Sequence, residues 1–339
     1  MGRGPGREPG GGSPHGGGDG VGHPFDRTRR RAARGRHIAD RIGWGVLGAA
    51  WIAGRAVIPA IEASRNGRLV SIASRDPDRA RELASRHAFA RVAPSYDAVL
   101  EDREVDAVYI PLVNALHREW TLRALAAGKH VLCEKPLGTN AAEAEEMAVA
   151  AQSAGLQLME GFMYRFHPRT RAFVESVRDP LYVHATFGFT MTDPSNYRMQ
   201  ASLGGGALLD VGCYTVSVAL WIMGEPDRVS ATLTHDRSRD DGVDMTVTAL
   251  LHFAAGKTAS IWASFESPEG QELVVVERER IQRLAKPFSA WRDPDDPYQL
   301  MVESFGDSVI ENRAVAILPE VSVANMRVLD RIRAAAEAI

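Results

Sequence analysis

Four groups of residues in this sequence have the types and spacing to move a proton beside a bound ligand. The first is "VLCEKPLGTN", Val131–Asn140, in which a short apolar run ends in Glu134, Lys135 and Pro136. An ammonium beside a carboxylate at the mouth of a buried strand is both a hydrogen-bond donor and a tunable acid–base group. The second is "GGGALLDVGCY", where Asp210 and Tyr214 stand four residues apart and share one face of a predicted helix. Tyrosine has an ordinary pKa of about 10, and a nearby ammonium favours the phenolate. Lys135 is therefore expected to lower the pKa of Tyr214, and the two to form a proton-transfer pair. The third group, "IPLVNALH", offers Leu112, Asn114 and His117, and the fourth, "EGFMYRFHP", offers Arg165. Taken singly, each has a structural use as well. Asn114 suits a helix cap, His117 a first helical turn, Glu134 and Lys135 a surface pair, and Arg165 a salt bridge between domains. Asp210 suits a buried carboxylate and Tyr214 a packed aromatic.

The elements that must hold these groups give them a common address. From Ile42 onward, short apolar runs alternate with amphipathic stretches: "IGWGVL", then "AAWIAGRAVIPAIEAS" with Pro59 interrupting; "RLVSIAS", then "PDRARELASRHA"; "DAVYIPL", then "REWTLRALAAGK"; "HVLCEK", then "AAEAEEMAVAAQSAG"; and last "LQLMEG". Strands alternating with helices of this length predict a Rossmann-type, doubly wound parallel sheet, an α/β arrangement. Asn140 is placed to cap the fourth helix and Gly155 to end it. Such sheets bind ligands beyond the carboxyl ends of their strands, which is where "IPLVNALH", "EKP" and "EGFMYRFHP" fall. After Gly161 the rhythm changes to one helix, the glycine-rich segment, several strands in succession and two closing helices. Period-two alternation in "MTVTALLHF" predicts an α+β domain with an antiparallel or mixed sheet covered on one face. The expected division is residues 1–40 as a disordered Gly/Pro/Arg-rich head, 41–161 as a doubly wound domain, and 162–339 as a second, α+β domain.

The first strand runs into "GVLGAAWIAGR". The dinucleotide fingerprint places three glycines as G-x-G-x-x-G at this junction. Here Gly48 takes the first place, Ala50 the second and Ala53 the third, with Trp51 and Ile52 alongside. Small residues there let a pyrophosphate approach backbone amides at a helix N-terminus. The second strand ends in "SIASRD" rather than in the acidic residue that holds ribose hydroxyls in NAD-binding proteins. Ser74 and the guanidinium of Arg75 suit a 2′-phosphate, and Arg79 is a second cation one turn on. NADP is thus the expected cofactor, with NAD as the alternative.

Composition narrows the function further. The net charge is −3 over 339 residues, which gives no global reason to bind nucleic acid or an anionic membrane. No unbroken apolar run reaches the ~20 residues of a membrane span. The two cysteines, Cys133 and Cys213, lie in apolar runs without disulfide or metal-ligand spacing, so buried thiols, a cytoplasmic protein and no metal are expected. The head contains "TRRR", but the apolar region an export signal needs does not follow it. Another account of the head is a translation start assigned too far upstream.

"HVLCEKPLGTNAAEAEEM", "LMEGFMYRFHP" and "LGGGALLDVGCYTVSVALWIMG", in this order after "GVLGAAWIA", resemble the Gfo/Idh/MocA family (glucose–fructose oxidoreductase, inositol dehydrogenase, rhizopine catabolism). The resemblance runs from Arg41 to the end. Tyr214, where many members carry His, is similar to the branch of aldose dehydrogenases, trans-dihydrodiol dehydrogenases and nucleotide-sugar ketoreductases. The resemblance implies hydride exchange between a nicotinamide and a sugar carbon or similar ring carbon. It implies that Lys135 bonds the reacting oxygen, Tyr214 passes the proton and Asp210 positions substrate or tyrosine. It also implies that Glu134 and Asn114 line the nicotinamide side, that Arg165 seats the cofactor, and that a cis Lys135–Pro136 peptide aims the lysine. It implies too that residues 41–161 are the dinucleotide-binding domain and 162–339 the substrate-binding and oligomerisation domain, whose open, mostly antiparallel sheet builds a homodimer or tetramer. Three features depart from the pattern: the missing middle glycine, the forty-residue head, which has no family counterpart, and "VVVERERIQRL", which lacks the usual glycine turn between its strands. The leading expectation is an NADP(H)-dependent oxidoreductase acting on a carbohydrate or cyclic diol. The alternatives are a ketoreductase of a nucleotide-linked keto-sugar, for which Arg198 is the one cation in "MTDPSNYRMQ", and a sensor that binds dinucleotide or sugar without turnover.

Overall fold

The computed structural model describes residues 1–2, 40–236, 238, 242–289, 292 and 294–337. The expectation of a disordered head falls almost wholly outside the described residues.

The first half alternates as the apolar runs require. In order come β1 (Ile42–Leu47), α1 (Ile58–Ala63), β2 (Gly67–Ala73), α2 (Pro77–Arg86), β3 (Arg91–Val92), α3 (Tyr96–Glu101), β4 (Ala107–Ile110), α4 (His117–Ala126), β5 (His130–Cys133), α5 (Ala141–Ala154) and β6 (Leu158–Glu160). The strands form one parallel sheet in the order β3-β2-β1-β4-β5-β6. β1, β4 and nearly all of β5 are buried, as strands covered on both faces must be. The order reverses between β2-β1 and β4, so the loops leaving β1 and β4 diverge and open a crevice at the strands' carboxyl ends. Local chemistry sets the helix ends. Asp76 caps α2 by accepting from the Asp78 and Arg79 amides. Asn140 caps α5 through the Glu143 amide, and Gly155 ends it at φ 65°.

The second half carries α6 (Pro168–Ser176), β7 (Pro180–Thr190), α7 (Cys213–Met223), β8 (Arg228–His235), β9 (Asp244–His252), β10 (Thr258–Ser264), β11 (Glu266–Glu277), β12 (Ile281–Ala285), α8 (Pro297–Ile310) and α9 (Pro319–Glu337). Its sheet runs β12-β11-β7-β10-β9-β8, with every pair antiparallel except β7–β10. α7 packs on β7 and β10, and α9 on β8, so one face is covered. On β9 the alternation appears as buried Val247, Ala249 and Leu251 against exposed Thr248 and Leu250. The glycine-free β11–β12 tip still turns tightly: the Glu277 amide bonds the Arg280 carbonyl, and neither Arg278 nor Glu279 takes a positive φ. The Glu277 carboxylate braces this tip by accepting from the Arg178 and Asp179 amides, Arg280 and Gln282.

α8 and α9 both return to the first sheet's side. α8 lies on α1 and β1, where Phe305 meets Trp44 at 5.4 Å between ring centres. α9 packs against α5 and β6 as well as β8. One helical stretch among the described residues, Ala201–Met223, is long and apolar enough to cross a membrane by length and composition, but most of it is buried inside the fold. Cys133 and Cys213 are buried free thiols.

Candidate active site

A cleft of about 680 Å³ runs along the carboxyl edge of the first sheet and continues to the face of β7 and α7. Its nucleotide end is built on the β1 turn. Gly48 sits at φ 121°, and a Cβ there would come within 3.0 Å of the Leu112 side chain, so the turn needs glycine. Ala50, Trp51 and Ile52 line the cleft beyond it. Trp51 is 72% exposed, an unusual position for so large an apolar ring. The chain then enters a wide i→i+5 turn, Ala53–Val57, before α1. Such turns concentrate at functional sites. Ser74, Arg75 and Arg79 face the same end. Among the described residues neither guanidinium pairs with a carboxylate, while the neighbouring Asp76 carboxylate is occupied in capping α2. A backbone cradle that a side chain would fill, with two cations at its far end, fits a dinucleotide carrying a 2′-phosphate.

The other end gathers the acid–base candidates. The Lys135–Pro136 peptide is cis. Lys135 Nζ donates to the Asp210 carbonyl at 2.7 Å and to Asp210 Oδ1 at 3.0 Å. Asp210 lies in a second wide turn, Leu208–Gly212, and Tyr214 in the first turn of α7, so the two do not share one regular α-helix. The other carboxylate oxygen of Asp210 accepts Arg198 Nε at 2.8 Å. In the sequence Arg198 is only a loop cation; nothing in its spacing marks it as a partner of Asp210. Burial, the largest single influence, works against the Lys135 ammonium, but Asp210 together with Tyr214, Cys213 and Tyr197 outweighs it and holds the pKa well above the ordinary lysine value. Burial likewise works against the Asp210 charge, and Lys135 and Arg198 together bring its pKa below the usual carboxylate value.

Tyr214 lines the cleft, with Lys135 Nζ 5.0 Å from its ring centre. Its pKa, expected to be lowered, lies well above 10: burial is the larger influence and Lys135 only partly offsets it. The cause is an aromatic box that excludes water, in which Phe162, Tyr164, Phe187 and Phe288 stand 5.2–5.7 Å from the Tyr214 ring. Phe187, Phe288 and Tyr298 also line the cleft, and none stood out in the sequence, where they read as ordinary core residues. Glu134 accepts the Tyr109 hydroxyl at 2.6 Å and its own neighbour's amide at 3.3 Å, and burial pushes its pKa up. Asn114 is buried at the cleft wall and donates to the Gly204 carbonyl at 2.7 Å.

Two candidates lie elsewhere. Both ring nitrogens of His117 face backbone carbonyls, of Pro136 at 2.8 Å and Leu112 at 3.0 Å, and the side chain is fully buried. It fastens the lysine turn to the β4 loop and does not line the cleft. Arg165 is turned away, its guanidinium 4.5 Å over the Trp221 ring. A residue just beyond a strand's end points toward the crevice or behind the sheet according to its local turn, and the sequence does not distinguish the two.

Residues 42–162 match the family described as "Oxidoreductase family, NAD-binding Rossmann fold", and residues 177–281 match the "GFO/IDH/MocA C-terminal domain". The chain belongs to the Gfo/Idh/MocA oxidoreductase family. It is 38% identical to a D-xylose 1-dehydrogenase (NADP(+)) of Haloferax volcanii, over 87% of this chain and 97% of that one. It is 36% identical to the mouse trans-1,2-dihydrobenzene-1,2-diol dehydrogenase, over 66% of this chain and 68% of the relative. A 3-ketoreductase from Actinomadura kijaniata, solved with NADP and TDP-benzene, superposes with a TM-score of 0.77 at 31% identity, over 87% of this chain and 98% of that one. The fold and enzyme class expected from the Gfo/Idh/MocA motifs are therefore those the chain has.

Proposed function

We propose that this member of the family is an NADP(H)-dependent oxidoreductase of a carbohydrate or cyclic diol, with residues 41–161 holding the dinucleotide and 162–339 the substrate. The observation that carries the reading is one cleft with Arg75 and Arg79 at one end and Lys135, Asp210 and Tyr214 at the other. Bound at the β1 turn, the cofactor supplies or accepts the hydride. Lys135, kept cationic by Asp210, donates to the reacting oxygen. Tyr214, kept neutral by its aromatic box, hands its proton to that oxygen in the direction of reduction. In oxidation the same phenol must first lose its proton, so the oxidative direction favours alkaline pH. Asp210, clamped between Lys135 and Arg198, fixes where the ammonium points. The half-buried outer face of the second sheet, with Tyr182, His184 and Trp262, is the surface for a dimer or tetramer.

The likeness to a ketoreductase solved with TDP-benzene favours a second reading, reduction of a nucleotide-linked keto-sugar. Against it, Arg198 is committed to Asp210 rather than free for a diphosphate. A sensor has no use for the Lys135–Tyr214 pair. The test is absorbance at the nicotinamide band with NADP or NAD against aldoses, inositols, dihydrodiols and a nucleotide-linked keto-sugar. Turnover of an aldose or diol with NADP is expected, and Arg75→Ala should raise KM for NADP far more than for NAD. Lys135→Met and Tyr214→Phe should each lower kcat by about 10²-fold or more. Cofactor binding without turnover of any substrate would leave the sensor.

A further inference from the structure

Behind the acid–base pair lies a polar cluster that this chemistry does not use. Glu160, at the end of β6, is 1% exposed, and its Oε1 accepts the Leu137 amide at 2.8 Å, two residues past Lys135. From the opposite side α9 brings Asn325, 2% exposed, whose Nδ2 donates to the Cys213 carbonyl at 3.3 Å, one residue before Tyr214. A cavity of about 10 Å³ separates them, its polar wall made by Glu160, Arg165, Ser217 and Asn325. Glu160 Oε2 and Asn325 Oδ1 are buried at this wall, and neither closes a hydrogen bond to another protein atom. Ser322 stands near enough to help hold the Glu160 carboxylate down, without meeting Oε2 in bonding geometry. A space of this size holds about one water, and a buried water takes roughly 2–4 polar partners, of which the Glu160 and Asn325 oxygens supply two.

We propose that Glu160 and Asn325 are positioning residues for the acid–base pair. Joined through one internal water in this cavity, they tie the lysine turn at Leu137 to the tyrosine segment at Cys213 and so set the separation of Lys135 and Tyr214. The inference rests on the reading that these two residues carry the proton transfer. It also gives the C-terminal helix, remote in sequence, a place in the chemistry. The groups facing Glu160 are Arg165 and Tyr164 from the turn after β6, Lys135 and Cys133 around the end of β5, and Cys213 on α7. Burial raises the Glu160 pKa to about 7, against Ser322, the Leu137 amide, Arg165 and Lys135, so its charge changes near neutral pH.

The test compares Asn325→Leu, Asn325→Ala, Glu160→Leu and Glu160→Gln in the full chain. Misplacing reacting groups by about an ångström costs up to about 10²-fold, so the leucine variants should lose about tenfold or more in kcat while the NADP dissociation constant stays within about twofold. Glu160→Gln keeps an acceptor for the Leu137 amide and should recover most of that loss, yet lose the ionisation near pH 7 from the kcat profile. Should Glu160→Leu fail to fold, the two Asn325 variants decide. Lowered melting temperature with wild-type kcat in the Asn325 variants would overturn the proposal. Wild-type turnover in Lys135→Met and Tyr214→Phe would instead overturn the proton-transfer reading beneath it.

Discussion

At the scale of single residues, the site turns on Asp210, which places one buried carboxylate between two cations at the cleft wall. Replacing it by Asn keeps the shape and leaves Lys135 and Arg198 facing each other as uncompensated charges. Removing one partner from a buried ion pair costs on the order of 3 kcal/mol. Asp210→Asn should therefore unfold at clearly lower denaturant and turn over far more slowly. A variant with wild-type stability would show that Arg198 and Lys135 do not depend on the carboxylate. Lys135, Asp210 and Tyr214 were legible in the sequence because their spacing placed them at a strand end and on one side of a glycine-rich helix. What was not legible is what lies around them. The sequence shows that Tyr214 has a cationic neighbour, but the aromatic box that reverses the effect on its pKa is drawn from β7, the segment after β6 and the loop after β12. His117 and Arg165 have the right addresses and the wrong directions.

At the scale of elements, the second wide turn depends on the three glycines before it. Gly206 takes φ 107°, and a Cβ there would lie 2.1 Å from Asp244 Oδ1. That carboxylate also accepts the Leu208 amide at 2.6 Å, holding the start of the turn that presents Asp210. Gly206→Ala combines a backbone penalty of about 1–3 kcal/mol with displacement of Asp244. It should lower the melting temperature and turnover together, and an unchanged melt would mean the loop adapts freely. The strands and longer helices could be read from apolar runs and capping residues. β3, with two exposed residues, and α3, with six residues, carry too little pattern to be seen. An i→i+5 turn adds one residue to a helical repeat, which sequence periodicity does not resolve over five residues.

At the scale of the whole molecule, two buried groups pull stability in opposite directions with pH. Burial pushes His130 down to about 4, so between roughly pH 6.5 and 4 the unfolded chain binds a proton that the fold does not, and stability falls with acid. Glu160 has its folded pKa raised to about 7, so its contribution is complete below the ordinary value of about 4.3 and is lost as pH rises through 7. In the shared window the two slopes oppose. Glu160→Gln should therefore gain stability over wild type as pH rises from about 4.3 to 7. Parallel curves in urea titrations across that range would show that Glu160 does not titrate as its surroundings imply. The packing of α8 and α9 back on the first sheet was not readable from chain order, because an amphipathic helix states that it has a partner and not which one.

The cleft also has a consequence for how ligands arrive. Arg75, Arg79, Lys135 and Arg198 outnumber Glu134 and Asp210 along its walls, in a chain whose net charge is −3. A polyanionic dinucleotide therefore meets a repelling molecule with one attracting mouth. The field narrows its approach to the orientation that leads in, and dissolved ions progressively blur that guidance.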